Sequence, residues 1–441
     1  MQARSDKPAR RFIFMKHGDI VAVSLGNALD WFEIVVYGYF AGIIAALFFP
    51  ADTPGVSLLL TFLTFGVTFV VRPFGAVVLG AYADQHGRKS AIQLSIVLMT
   101  GASAAIAFVP DYRSIGILAP AILVVARMVQ GFAVGGEFGS ATAFLAEKDA
   151  TRRGYLASWQ FASQGVAAVL ATGFGFAITQ GLSADEIASW GWRVPFVFGL
   201  LIAPVGYYIR RRLIETIDLN AARPARSPLT ALLSEHKLRL IAATGLIVLG
   251  TVATYTIVFM PTYAARHLGL TASHSFAAAF TTASIQVVIV PFVGMLSDRW
   301  GRLPISTVSA VAVVLIAYPA FAWLAGAPTV EKLFLTQITL GVLTALYVGA
   351  LPALMAELFP ARMRATGLSV SYSVAVAVFG GFAPFISVWL IQATGSAIAP
   401  SYYLIVASLI SLSALWLAHR LGKNERGVRE LGLQQSQQSR Q

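Results

Sequence analysis

The sequence has 441 residues, of which 57% are hydrophobic and 12% are charged, and its formal net charge is +12. A water-soluble protein of this length could not cover so much apolar surface, so the composition excludes a soluble enzyme or binding domain. The apolar runs are long and do not alternate with polar residues. They predict membrane helices, because every backbone polar group inside a bilayer needs an internal partner.

About twelve apolar runs follow one another along the chain, each long enough to cross a membrane as a helix. They cover 18–46, 56–82, 90–109, 117–145, 154–179, 193–209, 239–264, 276–297, 304–325, 332–357, 365–391 and 401–419. The one long polar connector separates the sixth run from the seventh. We therefore predict a six-helix bundle over 1–209, a linker over 210–238, a second six-helix bundle over 239–420 and a tail over 421–441.

The basic residues of the chain are concentrated in alternate loops. With the N-terminus placed in the cytoplasm, 26 of the 32 Lys and Arg residues fall inside and four fall outside. This bias predicts that both termini, the linker and the tail are cytoplasmic. It also explains the positive charge as orientation signals, so no nucleic-acid partner is expected.

A short polar turn occurs twice, with the pattern G-x-x-[AS]-D-x-x-G-R and a separation of 214 residues. The segments 130–147 and 340–357 also correspond, with an offset of 210. These repeats predict two pseudo-symmetric six-helix halves, with a substrate site near the midplane between them. Because the turns lie at the inside ends of spans, we expect them to gate access by capping helices and pairing across the halves. The gating candidates are Gly80, Asp84, Gly87, Arg88, Asp298 and Arg302.

The first span carries a polar stripe formed by Asn27, Asp30, Glu33 and Tyr37. A carboxylate inside the membrane is expensive unless it is paired, hydrated or protonated, which makes both acids candidates for function. Either Asp30 or Glu33 could carry a coupled proton. The alternative is that they form ion pairs that only hold helices together. Asn27 and Tyr37 are candidates for substrate binding.

Two arginines lie within spans of the first half. Arg127 shares one face of the fourth span with Gln130 and Glu137, and its planar guanidinium suits carboxylates. It could hold a substrate carboxylate, pair with Asp30, or pair with Glu137, which is itself a candidate for proton coupling. Arg72 lies too far from the membrane surface to reach it easily, so we expect it to face the cavity unless it bridges to an acid of the first span.

The spans of the second half contain no charged residue away from their ends. They offer neutral polar groups that could hydrogen-bond a substrate or could simply pack helices. Gln160 and Gln164 on the fifth span face the same way and join this group. The neutral candidates for substrate binding are Gln130, Gln160, Gln164, Tyr255, Tyr347, Ser371 and Tyr372, with Gln286 as a further polar position.

The sequence does not contain the residue patterns that several functional classes require. The six histidines lie in turns or at span ends, and the chain has no cysteine, so no metal site is predicted. No phosphate-cradling Gly-Lys-Ser/Thr loop is present, which argues against direct use of ATP. We therefore expect neither an enzyme nor a cofactor, and a transport-like sensor or membrane enzyme is the weaker alternative.

The assembled motifs resemble those of the major facilitator superfamily along essentially the whole chain. The matching segments are 72–75, 127–131, 191–195 and the two G-x-x-x-D-x-x-G-R turns. Within this superfamily the chain resembles the bacterial metabolite–proton symporters, and is most similar to the citrate and tricarballylate carriers at 75–82, 158–164, 185–187, 261–263 and 379–381. It departs from that pattern in the order of Asp30 and Glu33, and in Gln85 and Leu303, where basic residues are usual.

The resemblance implies an all-α membrane protein with twelve transmembrane helices in two six-helix bundles, placed in a bacterial inner membrane. It associates the Arg127 position with proton coupling. It implies import of a citrate-like di- or tricarboxylate with protons, driven by the proton gradient without a cofactor and by a monomer. Two buried arginines favour such an anion. Another metabolite of the same carriers, namely 2-oxoglutarate, shikimate, or proline and betaine, is the alternative.

Overall fold

The structure, a computed structural model, describes residues 18–86, 88–135, 137–200 and 228–438. All regular elements within these residues are helices. We refer to residues 18–200 as the first half and to residues 228–438 as the second half. The helices of the first half are α1 (Gly18–Tyr39), α2 (Ala41–Phe48), α3 (Pro54–His86), α4 (Arg88–Phe108), α5 (Tyr112–Ile115), α6 (Leu118–Ala133), α7 (Glu137–Glu147), α8 (Arg153–Gly181) and α9 (Ala184–Ser189), followed by α10, described over 194–200.

The second half begins with a short helix and continues with long ones. They are α11 (Pro228–Glu235), α12 (Lys237–His267), α13 (Ala272–Trp300), α14 (Arg302–Gly326), α15 (Val330–Leu358), α16 (Arg364–Ala375), α17 (Ala383–Thr394) and α18 (Pro400–Gln438). A π-helical turn, Val376–Gly380, joins α16 to α17 within one apolar span. The new helix starts at Ala383-Pro384 because proline lacks an N–H and fits the first turn of a helix.

Nine helical segments within the described residues are long and apolar enough to cross a membrane. The first predicted span is instead a pair of helices, Val23–Tyr39 and Ala41–Phe48, bent by 62°. The third is the shorter apolar helix Gln93–Phe108, and the sixth begins in α10 and runs beyond the described residues. The chain is therefore a multi-pass helical membrane protein, and the described helices are consistent with twelve spans.

The two halves pack against each other along several helix pairs. α8 of the first half runs along α13 of the second, and α7 packs on α16, α1 on α12 and α3 on α17. At one point the backbones of α8 and α13 touch: a Cβ on Gly154 would overlap the carbonyl oxygen of Gly294, and a Cβ on Gly294 would overlap that of Gly154. Gly294 opens the second copy of the repeated turn, so this glycine is needed for close approach of the halves.

Candidate functional site

A cavity lies between the two halves, and its lining includes charged side chains. It lies between α1, α3, the junction of α6 and α7, and α16. We call it the charged chamber; its lining residues are Asn27, Asp30, Trp31, Arg72, Val134, Gly135, Phe138, Ser369, Tyr372 and Ser373. Three predicted substrate-binding residues, Asn27, Arg72 and Tyr372, therefore meet in one place together with Asp30.

Arg72 is the cation of the charged chamber and is only 5% exposed. Its guanidinium carbon lies 4.5 Å from the ring centroid of Phe69 and 5.4 Å from that of Trp31. Its Nε and Nη2 atoms are buried without a hydrogen-bond partner. A buried donor of this kind is costly to leave unpaired, so these two atoms mark a place where an acceptor is expected.

A second cavity shares Trp31 with the first. We call it the amide chamber, after Gln164 of α8 and Gln286 of α13, which enter it from opposite halves. The other lining residues are Trp31, Val35, Tyr39, Phe161, Gly165, Ala168, Thr254, Ile257, Val258, Val290, Thr344 and Val348. The Nε2 atom of Gln164 is buried without a partner.

Tyr372 connects the two chambers. Its hydroxyl interacts with the side chains of both Arg72 and Gln164. Its ring stacks on Phe138 of the first half, with centroids 3.5 Å apart and planes within 8°. A polar path therefore runs from the cation of one chamber to the amide of the other, across the boundary between the halves.

Arg127 lies apart from both chambers, so the prediction that it joins Arg72 in holding substrate is not supported by the geometry. Its side chain is fully buried within the first half, and its ring neighbours are Tyr37 and Phe65. Nη1 donates to Gln130 Oε1 at 2.8 Å and to the Glu33 carbonyl oxygen at 3.3 Å, while Nη2 donates to the Ile34 carbonyl oxygen at 3.4 Å. Its Nε is buried without a hydrogen-bond partner, but both Nη1 and Nη2 already donate within the first half.

Glu33 belongs to the same buried cluster and is 6% exposed. Ser103 of α4 donates a hydrogen bond to Glu33 Oε2. Gln130 Nε2 donates to Ser103 Oγ at 2.8 Å and to Glu33 Oε2 at 3.4 Å. We call Glu33, Ser103, Arg127 and Gln130 the Glu33 cluster. It holds the carboxyl group of Glu33 and the guanidinium of Arg127 inside one half. Asp30 is separate from this cluster and faces the charged chamber.

Several predicted binding residues donate hydrogen bonds between helices. Asn27 Nδ2 donates to the Gln160 carbonyl oxygen, and Gln160 Nε2 donates to Asn27 Oδ1, both at 3.0 Å. The Tyr347 hydroxyl donates to the Leu246 carbonyl oxygen at 2.6 Å. The Tyr37 hydroxyl donates to the Thr61 carbonyl oxygen at 3.3 Å. Tyr347 is thus a packing residue of the second half, and Gln160 joins α8 to α1.

Tyr255 and Ser371 are different, because their hydroxyls are buried and have no hydrogen-bond partner. The Tyr255 ring packs on Trp31 and Phe69, at centroid distances of 6.0 and 5.1 Å. Neither residue lines one of the two chambers, yet Tyr255 touches the aromatic rings that flank Arg72.

The second repeated turn makes contacts across the halves. Asp298 accepts hydrogen bonds from the backbone N–H groups of Gly154 and Tyr155 at 2.7 and 3.0 Å, at the N-terminus of α8. Arg302 Nη2 lies 2.9 Å from Asp298 Oδ1, and Arg302 Nε lies 3.1 Å from Glu357 Oε1. A carboxylate at a helix N-terminus is favourable because the unpaired amides and the helix dipole attract it.

The first turn is less completely described. Gly80 is exposed, with no atom within 4 Å of the position of a Cβ. Gly87 lies outside the described residues, and so do the side chains of Asp84, Arg88 and Glu137. Among the residues that the structure does describe, no group of three or more His, Asp or Glu is placed to hold a metal ion.

Comparison with known proteins identifies the family. The sequence profile of the Major Facilitator Superfamily matches residues 23–326. The chain belongs to the major facilitator superfamily. The crystal structure of a D-xylose-proton symporter superposes with a TM-score of 0.68, covering 89% of this chain and 96% of that one. At 16% identity that likeness concerns the fold alone, and the predicted major facilitator fold is confirmed.

Curated members of the superfamily match nearly the whole chain. A citrate-proton symporter of Klebsiella pneumoniae is 36% identical, over 95% of this chain and 96% of that protein. A glycine betaine/proline/ectoine/pipecolic acid transporter of Dickeya dadantii is 31% identical, over 93% of this chain and 84% of that protein. The similarity to metabolite–proton symporters inferred from the motifs is thus confirmed.

Sequence reasoning missed three residues of the site. Trp31 lines both chambers, Phe138 stacks on Tyr372, and Ser103 bonds to Glu33. Trp31 carried a signal, since it directly follows the intramembrane acid Asp30. A serine or phenylalanine in an apolar span carries none, because both residue types are common in membrane helices.

Proposed function

We propose that this chain is a secondary transporter that imports a citrate-like di- or tricarboxylate together with protons. It is a transporter and not an enzyme, in keeping with its superfamily and with curated relatives that are named as symporters or transporters. The citrate-proton symporter of Klebsiella pneumoniae, similar along nearly all of both chains, supports the assignment of substrate class.

The observation that carries the proposal is Arg72. A guanidinium that is 5% exposed, with Nε and Nη2 unpaired in a cavity between the two halves, needs an acceptor. The edge of a guanidinium matches a carboxylate, which can take two parallel hydrogen bonds. We assign one carboxylate of the substrate to Arg72, with Tyr372 and Asn27 as the neighbouring polar groups of the chamber.

Proton coupling is assigned to the two acids of α1. Glu33 is buried beside Arg127, Gln130 and Ser103, and Asp30 faces the chamber that holds Arg72. When Asp30 is ionised it competes with the substrate for Arg72, and when it is protonated it leaves Arg72 to the substrate. Glu33, held within one half, is the acid that can keep a proton while the halves move.

Alternating access follows from the position of the chambers between the halves. Rocking one half on the other would expose them to each side in turn, and would break the contacts of Asp298 with α8. We place the protein in a bacterial inner membrane as a monomer, without a cofactor and with both termini in the cytoplasm, because 26 of 32 basic residues then lie inside.

A second candidate, transport of a zwitterion such as betaine, is favoured by one feature of the site. Among the residues that the structure describes, the lining of the charged chamber has one cation, one acid and the aromatic rings of Trp31, Phe138 and Tyr372. Arg72 could hold the carboxylate, and the rings and Asp30 could hold a quaternary ammonium group. The Dickeya dadantii relative is named for such substrates.

Uptake into proteoliposomes decides between these candidates. The full chain is reconstituted, a pH gradient is imposed, and labelled citrate, 2-oxoglutarate, shikimate and betaine are compared. We expect citrate to accumulate and to be released when a protonophore collapses the gradient. Preference for betaine would select the zwitterion, and accumulation that ignores the gradient would rule out proton coupling.

The orientation of the chain in the membrane can be tested by cysteine labelling, because the chain has no native cysteine. Cysteine is introduced at exposed positions on the two sides, by Ala184→Cys in α9 and Leu233→Cys in α11. In intact cells an impermeant maleimide should label the first and spare the second. The reverse result would invert the topology proposed here.

A further inference from the structure

The amide chamber has a different chemistry from the charged chamber. Its described lining residues include no Asp, Glu, Lys or Arg, and its polar groups belong to Trp31, Tyr39, Gln164, Thr254, Gln286 and Thr344. An ionised carboxylate that entered it would find no balancing charge. The chamber therefore suits an uncharged part of a ligand.

The hydrogen-bonding groups of the chamber are mixed. Gln164 is 8% exposed and its Nε2 is an unpaired buried donor. Gln286 Nε2 donates to the Gly341 carbonyl oxygen at 3.2 Å, so its Oε1 is the atom left to accept. The hydroxyls of Thr254 and Thr344 donate to carbonyl oxygens of their own helices, at 2.8 and 2.7 Å, and so present lone pairs.

Donors beside several acceptors suit an oxygen group that both accepts and donates. A hydroxyl and a protonated carboxyl have this property, whereas an ionised carboxylate only accepts. The side chains come from α8 on one side and from α12, α13 and α15 on the other. A ligand group bound here would therefore touch both halves.

The amide chamber lies next to the chamber that holds Arg72. Trp31 lines both chambers, and the Tyr372 hydroxyl interacts with Arg72 and with Gln164. A single small molecule can thus place one group at the guanidinium and another at the amide. The unpaired donors on the two residues, Arg72 Nε and Nη2 and Gln164 Nε2, would then be satisfied by one ligand.

We propose that the amide chamber is a second substrate subsite, which binds an uncharged hydroxyl or protonated carboxyl group of the molecule whose ionised carboxylate is held by Arg72. This inference rests on the proposed function, since it divides one tricarboxylate between two chambers. Gln164 is the residue that determines specificity in the second of them.

The test compares two tricarboxylates that differ by one hydroxyl. Citrate carries it, and propane-1,2,3-tricarboxylate (tricarballylate) lacks it. Uptake of both into proteoliposomes is measured for the unaltered chain, for Gln164→Leu, and for Gln180→Leu, the same change at an exposed position near the end of α8. We expect Gln164→Leu to raise the KM for citrate about tenfold. Gln180→Leu should leave it unchanged.

The two possible sources of the neutral oxygen give different patterns. If the substrate hydroxyl binds at Gln164, the variant raises the KM for citrate and leaves that for tricarballylate alone. If a protonated carboxyl binds there, Gln164→Leu raises the KM for citrate and the KM for tricarballylate together. In the unaltered chain, both KM values then increase as the pH rises and the substrates lose their last protons. Either pattern supports the subsite.

Equal KM values for Gln164→Leu and Gln180→Leu, with both substrates, would overturn it. Should Gln164→Leu fail to fold, Thr344→Val removes an acceptor of the same chamber with little change in shape. It should raise the KM for citrate severalfold, and an unchanged KM would again reject the subsite. Failure of the proposed function looks different, because the unaltered chain would then take up neither tricarboxylate.

Discussion

Arg364 of the second half donates a hydrogen bond to Glu147 of the first, with Nη1 2.5 Å from Oε1. The internal repeat produces the same relationship in reverse, where Arg153 Nη1 lies 3.5 Å from Glu357 Oε1. Each arginine also donates its Nε to a backbone carbonyl of its own half, Arg364 to Ala356 at 2.7 Å and Arg153 to Ala146 at 3.0 Å. Each half thus contributes one arginine and one glutamate, and the two equivalent ion pairs join the halves at one end of the molecule.

These exchanged pairs should control turnover more than binding, because they join the halves away from both chambers. Glu147 is 45% exposed at its side chain, so the pair with Arg364 contributes about 0.2–1 kcal/mol. We expect Glu147→Gln to change kcat a few-fold and to leave KM for citrate unchanged. A double-mutant cycle with Arg364→Gln measures the coupling, and Glu331→Gln, at an exposed acid of α15, is the control. Equal losses in kcat and in affinity would contradict this role.

Arg72 should dominate substrate affinity. Arg72→Gln removes the charge and the two unpaired donors of the charged chamber, so the Kd for citrate should rise about 10- to 100-fold. Arg72→Lys keeps the charge but lacks the planar guanidinium, so its Kd for citrate should lie between those of the unaltered chain and of Arg72→Gln. Binding of labelled citrate to purified protein measures the effect. Arg113→Gln, at an exposed position in α5, is the matched control, and an unchanged Kd for Arg72→Gln would remove the arginine from the site.

Glu33 should couple transport to protons without contacting the substrate. Glu33→Gln keeps the shape of the side chain and its contact with Ser103 but removes the titrating group. We expect accumulation driven by a pH gradient to be lost, while exchange of labelled for unlabelled citrate continues. Asp30→Asn is the comparison, because Asp30 faces the charged chamber and its replacement should also alter binding. Persistence of gradient-driven accumulation in Glu33→Gln would assign the proton elsewhere.

Gly294 should be required for the halves to close along α8. In Gly294→Ala the new methyl group meets the carbonyl oxygen of Gly154 and the side chain of Ser158, so the helices must separate, at a cost of about 1–3 kcal/mol. We expect a lower thermal unfolding midpoint and slower uptake. Opening is measured directly with Ser369→Cys, in the lining of the charged chamber, because the chain has no other cysteine.

Labelling of that cysteine by a water-soluble maleimide should be faster in the Gly294→Ala background than without it. Gly326→Ala, at the end of α14 where a Cβ would meet nothing within 4 Å, should leave both the labelling rate and uptake unchanged. A normal labelling rate in Gly294→Ala would show that this contact does not hold the halves together.

Much of the architecture could be predicted because it depends on local properties of the chain. Apolar runs of sufficient length must form helices in a bilayer, which is why the runs beginning near 56, 154, 239 and 276 all appear as long helices. The bend between Tyr39 and Ala41 and the π-helical turn at Val376–Gly380 were not predicted. The first interrupts an apolar run that contains no proline, and the second coincides with Gly380, Gly381 and Pro384, residue types that membrane helices also tolerate.

The candidate site was predicted only in part. Asn27, Asp30, Arg72, Gln164 and Tyr372 do reach the chambers. Arg127 was predicted to join Arg72 on the strength of its charge, yet its Nη1 and Nη2 donate within the first half. Helical periodicity shows which residues share a face of one helix, but the rotation of that helix against its neighbours depends on packing with distant parts of the chain.

The sequence by itself determined that this protein is a helical membrane protein with an internal repeat, and that its intramembrane charges lie in the first half. Hydropathy, charge bias and repeated turns are local features that any chain shows before it folds. Only the tertiary structure decided that Arg72 keeps unpaired donors beside a cavity while Arg127 is enclosed with Glu33. That distinction arises because the neighbours of a buried charge are set by contacts between helices far apart in the chain.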